Sequence, residues 1–357
     1  MPRSRMDSPV ARRLGLRFPI VQAPMAGGMT PPALVAAVCN AGGLGSFAAP
    51  LLAPDAIRAG IREIRALTDR PFNVNLFAFA DPASDPAAIA RSTAALKPWR
   101  DELGLPTPPL PNRFAESQAD QIQVLLDERV PVFSFTFGMP RRDALAAFRA
   151  AGATVIGTAT TVAEARALEA AGVDIVCAQG AEAGGHRGTF IGPFDDALIG
   201  TMALVPQVVA AVKVPVLAAG GIMNGAGITA ALALGAQGAQ LGTAFLLCPE
   251  AGISPAYAAA LASVSERGTM LTRAYTGRPA RGVANRFMRE TELVARDFPF
   301  YPVQRALSRD ILERARALGR DDISFYWCGQ GAPLARALPA AALIETLAAE
   351  TAAALVR

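Results

Sequence analysis

Val214-Pro-Val-Leu-Ala-Ala-Gly-Gly-Ile-Met-Asn-Gly-Ala-Gly-Ile-Thr-Ala-Ala-Leu-Ala-Leu-Gly-Ala-Gln-Gly-Ala-Gln-Leu-Gly-Thr243 is the stretch whose reading decides the fold. The short apolar run Val216 to Ala219 reads as a strand and stops at Gly220-Gly221. The alanine-rich stretch Gly225 to Leu234 reads as a helix that ends at Gly235, where glycine supplies the left-handed cap before the next strand. Ala239 to Thr243 is that next strand, so the stretch is one strand–helix–strand unit.

The same alternation runs outward in both directions. Strands are expected at Ile20 to Ala23, Leu44 to Ala48, Phe72 to Phe77, Val132 to Phe137, Thr154 to Gly157 and Ile175 to Ala178, ahead of the two already named. Helices are expected at Pro32 to Asn40, Pro54 to Leu67, Ala119 to Glu128, Arg141 to Ala150, Ala163 to Ala170 and Met202 to Val212. Gly42, Gly152 and Gly172 end helices as Gly235 does. Eight units in about 230 residues predict an α/β fold, a (β/α)8 TIM barrel, with a doubly wound open sheet as the rival. Two regions break the pattern. The proline-rich 81–113 reads as an insertion after strand three, and 249–357 as a mainly helical extension over the barrel mouth, with no clear strand and a terminal helix at Pro339 to Val356.

Composition limits the function. Apolar residues make up 52% and charged residues 18% of the 357, which excludes a disordered or collagen-like chain. The net charge is +4 and no basic run tracks a phosphate backbone, so nucleic acid is not an expected partner. Cys39, Cys177, Cys248 and Cys328 are too far apart in sequence for a zinc site or a redox pair, and a reducing cytoplasm is expected. No apolar segment approaches the ~20 residues of a membrane span, and none follows the arginine-rich first residues as a signal peptide would.

In a barrel, chemistry collects at the carboxyl ends of the strands, and the polar and glycine-rich residues of this chain fall there. Strand one ends in Gln22-Ala-Pro-Met25, strand three carries Asn73 and Asn75 on one face, and strand six runs into Gln179-Gly-Ala-Glu-Ala-Gly-Gly-His-Arg-Gly188. Gly220-Gly221 after strand seven and Gly242-Thr243 after strand eight can bring bare backbone N–H groups to a phosphate, although glycines also make plain turns. His186 is the single histidine; its place in a glycine-flanked loop favours catalysis or substrate contact over packing. Without a second histidine or paired cysteines, a metal site is not expected. The amides Gln22, Asn73, Asn75, Gln179 and Gln240 either meet a ligand or satisfy buried backbone.

Nearly the whole chain resembles the FMN-dependent nitronate monooxygenase family, formerly called 2-nitropropane dioxygenases, and its class I branch most. The matching stretches include Pro19 to Gly28, Asn40 to Gly45, Pro71 to Phe77, Ser134 to Gly138, Ala218 to Ile222, Leu241 to Phe245 and Gly277 to Arg281. Glu182-Ala-Gly-Gly-His-Arg-Gly188 is the most specific of them. The resemblance implies FMN across the barrel mouth, with its phosphate on backbone around Gly220, Gly221, Gly242 and Thr243. The ring and ribityl chain would then meet Gln22, Ala23, Pro24, Met25, Asn73, Asn75, Gln179, Gly184, Gly185, Gln240 and Leu241. It makes His186 the active-site histidine, as base or as partner of an anion, and puts Tyr257 and Tyr301 near the substrate entrance. Phe114 stands about where relatives can carry a tyrosine. The implied reaction oxidises alkyl nitronates such as propionate 3-nitronate with O2 to a carbonyl compound and nitrite, without NAD(P)H. Two other readings remain: an NAD(P)H-dependent reductase resembling enoyl-acyl-carrier-protein reductase II or the quinone reductases, and a barrel that binds a phosphorylated ligand without turnover. The oligomeric state is left open.

Overall fold

The computed structural model describes residues 7–79 and 85–356. Eight parallel strands form one sheet: β1 (Ile20–Gln22), β2 (Ser46–Ala48), β3 (Asn73–Phe77), β4 (Val132–Thr136), β5 (Thr154–Ala159), β6 (Ile175–Gln179), β7 (Val216–Ala219) and β8 (Gly238–Leu241). Neighbours in sequence are neighbours in the sheet, and β8 returns to pair with β1 in the register Ile20 to Ala239. The ring closes between β1 and β2, where Val21 bridges Leu44 and the Gln22 N–H donates to the Leu44 carbonyl at 2.9 Å. The fold is therefore the expected (β/α)8 barrel, not the open sheet.

Strands and helices depart from the sequence-based bounds by one or two residues at their ends. The outer ring forms because each helix presents an apolar stripe to the sheet. In the helix Pro54–Leu67, Ile57, Ile61 and Ile64 recur every three or four residues and are fully buried, while Arg62 and Glu63 between them are exposed. Inside the barrel, Val21, Leu44, Val132, Ile156, Ile175, Cys177 and Leu217 pack as one cluster. Val10 and Leu14 of a short helix, Pro9–Leu14, join that cluster, so the interior opposite the mouth is filled with side chains.

Three features differ from the sequence-based reading. First, the insertion holds a 17-residue helix, Pro86–Glu102, with Pro98 inside it; residues 81–84 of the insertion lie outside the described residues. This helix packs on the C-terminal segment rather than on the barrel, in a second core of Leu96, Trp99, Tyr275, Phe287, Leu307 and Ile311. Arg100, 1% exposed, ties the two together by donating to Asp310 and to the Leu307 carbonyl. Second, the terminal helix, Ala340–Leu355, packs beside the helices Gly225–Ala233 and Pro32–Asn40 and completes the barrel's outer ring; it does not cover the mouth. Third, the C-terminal segment does contain strands. Thr269–Thr272 and Ala280–Val283 form an antiparallel sheet whose third member is Gly185–His186, from the loop after β6. Among the described residues no helix is long and apolar enough to cross a membrane.

Candidate active site

The carboxyl ends of the strands open into a cavity of ≈ 640 Å³. Most residues singled out from the sequence meet there: Ala23, Pro24, Met25, Asn75, Gln179, Gly184, Gly185, His186, Gly220, Gly221, Gln240, Gly242, Thr243, Tyr257 and Tyr301. Three do not. Gln22 is fully buried, its Oε1 accepting the Ser46 N–H at 2.8 Å and its amide nitrogen donating to the Ala23 carbonyl. Asn73 lies below the cavity and donates to Ser46 Oγ at 3.1 Å and Ser134 Oγ at 2.9 Å. Leu241 is core. These three residues pack within the barrel and do not line the cavity, although Asn73 Oδ1 is left without a partner among the described residues. Phe114 packs against the second core and also lies outside the cavity lining.

One end of the cavity is backbone. Gly220 and Gly221 have φ of +112° and +71°, conformations that side-chain-bearing residues rarely take. A Cβ on Gly220 would come within 2.9 Å of Thr201 Oγ1 and 3.1 Å of the Gly180 carbonyl. The N–H groups of Gly221, Gly242 and Thr243 make no backbone hydrogen bond within the described residues. Thr243 Oγ1 accepts the Gly329 N–H at 2.9 Å, which leaves its own proton to donate. Unpaired donors on approachable backbone are what a phosphate requires. Deeper in, Asn75, whose amide donates to Ser134 Oγ at 2.9 Å, and Gln240 line the cavity. These groups fit a phosphate and the polar edge of a ring system.

The other end is built around His186. Pairing of Gly185–His186 with Ala280–Arg281 fixes the loop, and Gln179 grips its two sides: Nε2 donates to the His186 carbonyl at 3.0 Å and Oε1 accepts the Gly188 N–H at 2.8 Å. Gln179 therefore lines the cavity and positions the histidine. The imidazole Nε2 is 2.9 Å from Thr276 Oγ1, and Phe77, Phe137, Tyr301 and Trp327 surround the ring at centroid distances of 5.4 to 6.4 Å. Burial in this aromatic cage, reinforced by the charges of Arg278 and Arg305, lowers its pKa from 6.5 to about 3. The ring is neutral at physiological pH. Tyr301 Oη makes no hydrogen bond to the described residues and lies at the cavity; burial raises its phenol to about 12. Tyr257 differs: its ring lines the cavity, but its hydroxyl donates to the Trp327 carbonyl at 2.6 Å.

The C-terminal segment contributes residues that the sequence reading did not single out: Thr276, Arg278, Arg305, Trp327, Gly329 and Gly331. Gly277 to Arg281 carried a family signal without a role; Arg305 and Trp327 carried none, because the prolines and glycines beside them follow no barrel-strand pattern that would mark a strand's carboxyl end. The segment reaches the phosphate end because Gly184 has no side chain. A Cβ there would lie 2.5 Å from backbone atoms of Cys328 and Gly329.

A barrel with a deep mouth cavity, a backbone anion cradle and a neutral imidazole facing it defines an enzyme of the (β/α)8 class that works on a bound small molecule. A sequence model described as nitronate monooxygenase matches residues 11–350. The chain belongs to the nitronate monooxygenase family, and so to the oxidoreductases. It is 47% identical to a nitronate monooxygenase of Pseudomonas aeruginosa over 97% of this chain and 99% of the relative. For a nitronate monooxygenase of Paraburkholderia phytofirmans the identity is 45%, over 94% and 93%. A solved nitroalkane oxidase from Streptomyces ansochromogenes superposes with a TM-score of 0.90 at 44% identity, covering 96% of this chain and 97% of that one. FabK from Thermotoga maritima is more distant, at 30% identity and a TM-score of 0.76.

Proposed function

We propose that the protein binds FMN and oxidises alkyl nitronates, propionate 3-nitronate among them, with O2 to a carbonyl compound and nitrite. The observation that carries this reading is the cavity with two unlike ends, a donor-lined backbone cradle at Gly221, Gly242 and Thr243 and a neutral His186 in an aromatic cage. FMN, when bound, supplies the one-electron chemistry that couples the nitronate to O2. The chain's own residues do the rest. The cradle and Thr243 hold the phosphate, and Asn75 and Gln240 face the polar edge of the ring system. Phe77, Phe137 and Trp327 exclude water around His186. The neutral imidazole can take the α-proton of a nitroalkane, and Thr276 orients the ring that does so. The amino-acid sequence left open whether His186 is a base or the partner of an anion, and its neutrality favours the base.

The smaller flavin is preferred because no Gly-x-Gly-x-x-Gly follows the first strand to hold an adenosine pyrophosphate. Flavin released by acid should chromatograph as FMN, and FAD would overturn the assignment. The reductase reading is supported only by the more distant FabK structures. It predicts NAD(P)H consumption with a quinone or enoyl thioester and no nitrite from nitronate, and one side-by-side assay separates the two.

A further inference from the structure

A phosphate is held well by backbone N–H groups only if they already point at it, because donors that must be ordered on binding lose affinity. The cradle at Gly220 and Gly221 has no side chain to fix it, and both residues sit at positive φ. One flank is fixed by β7, in which Ala219 pairs with Gln179 and Gln240. The other flank, Ile222 to Asn224, leads into the helix Gly225–Ala233 and is gripped from far along the chain. Arg336 Nη2 donates to the Met223 carbonyl at 3.3 Å, and Glu350 accepts the Gly225 N–H at 2.9 Å, so the two grips lie on either side of Asn224. Arg336 and Glu350 in turn join each other by hydrogen bonds of 2.6 and 3.3 Å. The packing is close: a Cβ on Gly225 would lie 2.3 Å from Glu350 Cβ, and one on Gly331 would lie 2.6 Å from Met223 Cγ and 3.3 Å from the Gly221 carbonyl oxygen. Gly331 precedes Arg336 by five residues and lines the cavity, and its N–H makes no backbone hydrogen bond within the described residues.

We propose that the Arg336–Glu350 pair is a latch that sets the geometry of the phosphate cradle, so that the helix Ala340–Leu355 governs how tightly the cofactor is held. The inference rests on the FMN reading above and deepens it. Neither side chain lines the cavity, so both are positioning residues that act through the backbone. An ion pair whose side chains are 29% and 37% exposed contributes little to stability by itself. Its effect here is local, because it pins the chain at Met223 and Gly225, within four residues of Gly221. Charge alone makes a different prediction. A carboxylate repels a phosphate and a guanidinium attracts it, so removing Glu350 would tighten binding and removing Arg336 would weaken it. A latch loosens when either partner is removed.

The test compares FMN with riboflavin, which carries the same ring system and ribityl chain without the phosphate. Full-length protein is stripped of flavin, and each flavin is titrated back and followed by its fluorescence. The variants are Arg336→Met, Glu350→Ala, which suits the alanine-rich helix, and the pair combined. Each single variant should raise the Kd for FMN about 10-fold and leave that for riboflavin within about two-fold. The double variant should lose little more than either single one, because the two side chains act as a unit. Arg336→Lys keeps the charge without the fork and should still lose part of the FMN affinity. Equal losses for FMN and riboflavin would make the pair a general structural element and overturn the proposal. Tighter FMN binding by Glu350→Ala would reduce the pair to a charge effect, and unchanged FMN binding in both single variants would remove the latch altogether. A wild type that does not prefer FMN to riboflavin overturns the phosphate reading itself and the proposal with it, whereas variants that keep a wild-type preference for FMN overturn the latch alone.

Discussion

His186 shows how much one side chain's surroundings decide. In water an imidazole is nearly half-charged close to neutrality, whereas the aromatic cage and two arginines bring this one to about 3. His186→Asn should keep its flavin, because the cradle lies at the other end of the cavity. Turnover of neutral nitroalkanes should fall by about 10² to 10⁴, the range for removal of a general base, and turnover of preformed nitronates should change far less. Unchanged kinetics with both forms in a flavin-loaded variant would return His186 to a packing role. The lowered pKa also links to stability. Between pH 6.5 and about 3 the unfolded chain takes up a proton on this imidazole that the folded chain refuses, so this group's contribution is intact above pH 6.5 and is lost as the pH falls through that window. Urea unfolding of wild type and His186→Asn should show the wild type losing more stability than the variant between pH 7.5 and 5. Parallel losses would contradict the assigned ionisation.

At the scale of elements, the loop after β6 and the glycine turns after β7 and β8 carry the site. Arg187 follows His186 and is fully buried, donating to the carbonyls of Gly180 at 2.6 Å, Gln179 at 3.0 Å and Ala197 at 3.1 Å. Arg187→Met removes three hydrogen bonds and takes this donor from the Gln179 and Ala197 carbonyls, while the Gly180 carbonyl keeps the Ala183 N–H; it should cost about 2–3 kcal/mol in stability, seen as a lowered melting temperature. A melting temperature equal to that of the wild type would show that the loop does not depend on this anchor. Gly221→Val places a β-branched residue at φ +71°, a strain of about 1–2 kcal/mol, and crowds the cradle. Flavin content should fall more than the melting temperature does; folded protein that retains full flavin would make Gly221 a structural turn only. Gly221 and His186 were legible in the sequence because glycine and histidine are conspicuous at strand ends. Gln22 and Asn73 misled because an amide inside a barrel serves the sheet or a ligand equally well, and only the depth of the cavity floor distinguishes them. Thr269–Thr272 and Ala280–Val283 were missed for another reason: they are four-residue strands without period-two burial whose third partner, Gly185–His186, lies far away in sequence.

The barrel's own packing, inside the ring and between sheet and helices, is joined by a second core shared by the helix Pro86–Glu102 and the C-terminal segment. The barrel was legible because eight repeats of one local pattern admit few topologies. The second core was not, because it joins segments some two hundred positions apart, and Pro98 disguised the helix that links them. Its consequence is functional: the C-terminal segment brings Thr276, Arg305 and Gly329 over the barrel mouth, so the cavity is complete only when both cores have formed. The central claim, a flavin-bearing barrel that oxidises nitronates, has one direct test. The purified protein should be yellow, with the absorption bands of a bound flavin, and propionate 3-nitronate added under air should consume O2 and release nitrite without NAD(P)H. A protein that stays colourless after reconstitution with FMN, or a yellow one that releases no nitrite yet oxidises NAD(P)H with an enoyl thioester or a quinone, would contradict it.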